Sequence, residues 1–72
     1  MGTLERFGKL RIAVFRDHQP PHVHILGGDV NLVVYLEDLS VVGTGHREAA
    51  MALRWLAQNI DAVRKVFEDM NP

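Results

Sequence analysis

Between residues 9 and 36, apolar side chains recur at every second position, and the runs are broken by only a few residues at a time. A period of two marks a half-buried strand. Residues 9–16 read as one strand, residues 22–26 as a second and residues 30–36 as a third, with residues 39–42 as a short fourth. Gly27-Gly28-Asp29 supplies a tight turn between the second and third. Strands joined by such short loops pair antiparallel, because a parallel crossover needs about a dozen residues or more. That constraint removes every parallel α/β architecture.

After residue 43 the period changes. Ala49, Leu53 and Leu56 fall at helical spacing from Arg47 to Asn59, with Ala52 and Trp55 beside them. Thr44 is placed to cap this helix. Asn59 reads as the N-cap of a second helix with Asp61 in its first turn, and Ile60, Val63, Phe67 and Met70 form its apolar stripe, widened by Val66. Strands first and helices after predict an α+β fold. The expected architecture is a two-layer β-β-β-α-α domain. An antiparallel sheet of three to four strands carries one or two C-terminal helices on one face. Residues 1–72 are expected to form a single domain.

A chain of 72 residues buries only roughly 60% of its unfolded surface, so most of its apolar side chains must share one core. The absence of cysteine excludes disulfides and thiolate chemistry, and fits a reducing cytoplasm. No stretch approaches the ~20 apolar residues needed to span a bilayer, and Arg6, Lys9 and Arg11 interrupt any signal-peptide hydrophobic region. Net charge is −1, so no global field draws the chain to nucleic acid. The distribution is uneven. Residues 1–26 carry four basic and two acidic groups with three histidines, and residues 27–45 carry three acids and no base.

Alternation assigns faces. With Leu10, Ile12 and Val14 against the helices, Val23 and Ile25 join them, as do Val30, Leu32, Val34 and Leu36. His22 and His24 then fall together on the opposite face, outside the core, with Arg11, Phe15, Asn31, Val33 and Tyr35. A face with this mixture of cationic, imidazole and aromatic groups suits a ligand or a partner. It equally suits a homodimer interface that hides Phe15, Val33 and Tyr35.

Three of the four histidines lie in Asp17-His18-Gln19-Pro20-Pro21-His22-Val23-His24. Imidazole titrates nearest neutral pH and is the commonest metal ligand. Three chemistries remain open. His22 and His24, spaced ~6–7 Å apart along a strand, could share a divalent metal such as zinc. His18 would then be a third ligand, and Asp17 and His46 are alternatives to it. His22 and His24 could instead act as general base and acid in a ribonuclease-like phosphoryl transfer, with Arg11 or Arg16 stabilising the developing negative charge. Otherwise Asp17 and His18 make a hydrogen-bonded turn and the other two imidazoles are solvated strand residues. His46, beside a helix start, is better suited to a neutral partial cap, and Trp55 to the core.

Phe7-Gly8, the strand Leu10–Phe15 and above all Asp17-His18-x-Pro20-Pro21-His22-x-His24 resemble the bacterial domain-of-unknown-function 4160 family. The helix containing Trp55 is similar in placement, and the resemblance covers nearly the whole chain. Val23 stands where that family often has an aromatic residue, and Phe67 where tryptophan is more typical. The resemblance implies a small cytoplasmic prokaryotic protein, often discussed as part of a toxin–antitoxin-like gene pair, with His18, His22 and His24 as its site. The leading expectation is therefore a domain that acts through a protein partner or as a homodimer, with a histidine-bearing sheet face as its working surface. RNA as substrate and a bound metal are the alternatives, both using the same histidines.

Overall fold

The computed structural model of the protein describes residues 2–16 and 20–71. Among these residues, five strands precede two helices: β1 (Gly2–Phe7), β2 (Leu10–Val14), β3 (His22–Gly27), β4 (Val30–Tyr35), β5 (Val41–Thr44), α1 (Ala50–Gln58) and α2 (Ile60–Met70). The strands form one antiparallel meander in the order β1-β2-β3-β4-β5. The fold is α+β as the sequence predicts, with one strand more than the three to four expected. Asp17, His18 and Gln19 lie outside the described residues.

The additional strand is β1. Its charged pair Glu5-Arg6 and a register irregularity between Thr3 and Glu5 break the alternation, while Leu4 and Phe7 still pack on the core. Gly8-Lys9 links it to β2, and only Gly8 of the two has positive φ, at +61°. Glycine first in a two-residue loop is the pattern of a type II′ hairpin, whose twist matches the strands it joins. Gly28-Asp29 repeats that device between β3 and β4.

The inner face carries the core. Ile12 pairs with Ile25, and Ile25 with Leu32; all three are fully buried. Val14, Val23, Val34 and Leu36 extend the layer, and Ala49, Ala52, Leu56, Val63 and Phe67 close it from the helices. Trp55 lies partly buried against this cluster, edge-on to Phe7 at 6.4 Å.

Local chemistry shifts the helix boundaries. Thr44 ends β5 instead of capping α1, and its hydroxyl reaches the Asp29 carbonyl at 3.4 Å. Residues 46–49 form a turn, so α1 begins three residues later than Arg47. Asn59 does stand between the helices, but its side chain bonds backwards: Nδ2 donates to the Trp55 carbonyl at 2.8 Å and closes α1. It makes no side-chain cap for α2.

The β4–β5 turn is held by Asp38, whose carboxylate accepts the Ser40 backbone N–H at 2.9 Å. That bond, with a second from the Ser40 side chain, holds the Asp38 carboxyl below its ordinary value. A lowered native pKa favours folding above the unfolded pKa of about 3.9, and the contribution disappears as pH falls through the native value. Asp38→Ala is therefore expected to lower the melting temperature at pH 7, and the difference should shrink as pH falls below about 4, measured by circular dichroism. Two glycines separate conformational strain from collision. A Cβ on Gly27 would collide with the Lys9 carbonyl oxygen, whereas one on Gly8 would meet nothing within 4 Å. Gly8→Ala should cost about 1–2 kcal/mol from positive φ alone. Gly27→Ala should cost about 1–3 kcal/mol more from the clash, both read by denaturant melts.

Candidate functional site: an imidazole–aromatic cluster at one end of the sheet

The site is built at the end of β2, the start of β3 and the end of β4. Register brings its residues together. His24 lies between Ala13 and Val33 on neighbouring strands, and His22 lies beside Tyr35. The His22 and His24 rings are 5.4 Å apart. Phe15 stands edge-on to His24 at 4.8 Å, and Tyr35 lies 5.8 Å from His22.

The two prolines position this cluster through their carbonyls, since proline offers the backbone an acceptor and no donor. The Pro21 carbonyl accepts the Leu36 N–H at 2.9 Å and carries the β3–β4 ladder one step further. The Pro20 carbonyl lies 2.7 Å from His22 Nδ1. A carbonyl can only accept, so this contact places a proton on Nδ1. In the neutral ring, Nε2 then keeps its lone pair.

His22 differs from the sequence expectation in one respect. It alternates with the core residues Val23 and Ile25, yet it is only 9% exposed. The reason is the last helix. The far end of α2 comes over the end of the sheet, where Asn71 Nδ2 lies 3.4 Å from the Phe15 carbonyl, and Phe67 approaches to 5.7 Å from the His22 ring. His22 is thus a packed residue, and its neighbour His24 is half-buried. Among the described residues, no buried side-chain nitrogen or oxygen lacks a hydrogen-bond partner.

The other predicted site residues are distributed differently. Arg11 shares the outer face, but its guanidinium donates to the Thr3 hydroxyl at 3.4 Å, towards β1 and away from β3. His46 follows β5, whose end Thr44 pairs with Asn31. Four strand residues, ~13 Å at the usual rise, separate Asn31 from the level of Tyr35, so His46 is no ligand partner for His22 and His24. His18 and Asp17 lie outside the described residues. Among the described residues, no group of three or more His, Cys, Asp or Glu is placed to hold a metal. Phe67 is the site residue that sequence reasoning assigned to the core alone. Its helical stripe gave no signal of contact with a histidine 45 positions earlier.

The chain matches the family described as Domain of unknown function (DUF4160) over residues 9–68. It belongs to that family. No protein of curated function and no solved structure matches it. Nor is any helix of the described residues long and apolar enough to cross a membrane.

The packing predicts unequal roles for the two imidazoles in stability. His22→Ala removes a buried ring and a hydrogen bond, at an expected cost of about 2–3 kcal/mol. That corresponds to a fall in melting temperature of roughly 10–20 °C for a domain of this size. His24→Ala should cost about 1 kcal/mol or less. Thermal melts of the two variants check this; equal losses would contradict the packing of His22 against α2.

Proposed function

We propose that this protein acts in the cytoplasm by binding a protein partner through the outer face of its sheet, as one component of a toxin–antitoxin-like pair. The observation that carries this reading is the composition of the outer sheet face beyond the His22 end, which α2 covers. The apolar stripes of both helices pack into the inner core, and Met51 of α1 stands outside it. The outer face presents half-buried Phe15, Val33 and Tyr35 together with Val42, which is 60% exposed. An apolar strip of this kind beside polar Asn31 and Thr44 has the make-up of a protein contact. The imidazole–aromatic cluster ends the strip and would serve as its anchor. The pairing is what the sequence's resemblance to that family implies.

The test is complex formation with the product of the adjacent gene, followed by sedimentation, with the chain alone run beside it. The reading expects a heteromeric complex that Val42→Asp weakens at least tenfold. Met51→Asp should leave the complex intact, since Met51 is 69% exposed on α1, away from this face. Expression of the chain alone should change growth, and co-expression should reverse the change. A chain that stays monomeric, binds no neighbour and leaves growth untouched would overturn the proposal.

A second reading, metal binding by the same histidines, is favoured by one detail. Histidines that ligate metals usually donate their other ring N–H to a carboxylate or a backbone carbonyl. His22 does this at Pro20. Two imidazoles on one tetrahedral zinc, with Zn–N of about 2.0–2.1 Å, place their ring centres about 5 Å apart, near the separation seen here. His18 would complete the set. Zinc at pH 7.5 should then raise the melting temperature, and the increase should vanish in His24→Ala and fade below about pH 6, as the ligands protonate. The ribonuclease-like alternative would draw its positive charge from Arg16, exposed beside Phe15, since Arg11 would have to leave Thr3 to reach the histidines.

A further inference from the structure

At the opposite end of the sheet, a cleft of about 400 Å³ opens between the two type II′ hairpins and the loop before α1. Buried Leu10 and Val30 form its floor and half-buried Phe7 its wall; Lys9, Asp29 and Glu48 stand exposed at the rim. The floor belongs to paired strands, and Phe7 is braced by Trp55, so the cavity is preformed. The close approach of the two hairpins depends on Gly27, where no Cβ stands between the chain and the Lys9 carbonyl. The volume falls in the lower part of the usual range for small-molecule pockets, about 300–1,000 Å³.

Asp29 and Glu48 outnumber Lys9 among the residues lining the cleft, so its rim carries a local excess of negative charge above an apolar floor. We infer that this cleft binds a small primary amine with an apolar body, as a free amine or as the N-terminal residue of a peptide. The apolar body would displace water from Phe7, Leu10 and Val30. Asp29 and Glu48 would receive the ammonium group, and Lys9, also at the rim, would disfavour a ligand carrying a second positive charge. The site is independent of the imidazole cluster, because Gly27 and His22 sit at opposite ends of β3. Either assignment can therefore fail without the other.

The experiment is an NMR titration of the isotope-labelled full chain with three probes that share one body: leucinamide, leucine and N-acetylleucine. Leucinamide should produce saturable shifts at the amides of Gly8, Lys9, Gly27 and Val30, in the millimolar range. Leucine should bind comparably or less tightly, and N-acetylleucine at least tenfold more weakly. The double variant Asp29→Asn/Glu48→Gln should weaken leucinamide about tenfold, the equivalent of about 1.4 kcal/mol, without moving the His24 and Tyr35 resonances. A leucyl peptide amide that binds more tightly than leucinamide would identify the peptide N-terminus as the source, and equal affinity the free amine. Absence of saturable shifts, equal binding of all three probes, or shifts confined to the imidazole cluster would overturn the inference.

Discussion

Everything at the histidine end of this molecule depends on the register that aligns Ile12, Ile25 and Leu32 across three strands. The row is buried under the helices, and a slip of one residue would exchange every inward side chain of a strand for its outward neighbour. It would move His24 into the core and Ile25 to the surface. Burial of that row therefore fixes the position of His24 between Ala13 and Val33, and of His22 beside Tyr35. The hairpins reinforce it, because a two-residue type II′ loop admits one pairing.

The prolines and the last helix act on this frame. Pro21 extends the ladder through its carbonyl, and Pro20 uses its own to orient the His22 ring. Phe67 and Asn71 then bring α2 onto the same end. A histidine that alternation alone would leave in solvent becomes a packed ring with a defined protonated nitrogen, whereas His24 keeps partial access. The two imidazoles are adjacent but chemically distinct.

Much of this was legible in the residues. Period-two runs located β2, β3 and β4, and the short loops between them required antiparallel pairing. The inward series from Leu10 to Leu36 and the stripes of both helices were read in the positions they occupy. What escaped has physical causes. β1 was missed because Glu5-Arg6 and the irregularity near Leu4 interrupt its alternation; Gly8-Lys9 between Phe7 and Leu10 was the available hairpin signal. Thr44 has the chemistry of a cap but continues a strand, since pairing with β4 outweighs a single side-chain hydrogen bond. Contacts between His22 and Phe67 span most of the chain, and no local pattern encodes them. The end of the sheet at which each turn residue gathers, and so the separation of His46 from the other histidines, follows only from the assembled meander.

The meander also sets an order of events. Each strand pairs with the one that immediately precedes it, so the sheet can zip up from short loops at small entropic cost. The contacts from Phe67 and Asn71 back to His22 and Phe15 are of another kind, because they join the last helix to the first third of the chain. The sheet can therefore form before that helix docks. Until then the His22 ring lacks its cover from α2. The imidazole–aromatic cluster is thus the part of the molecule that depends on its longest-range contacts, and α2 is the element that completes it.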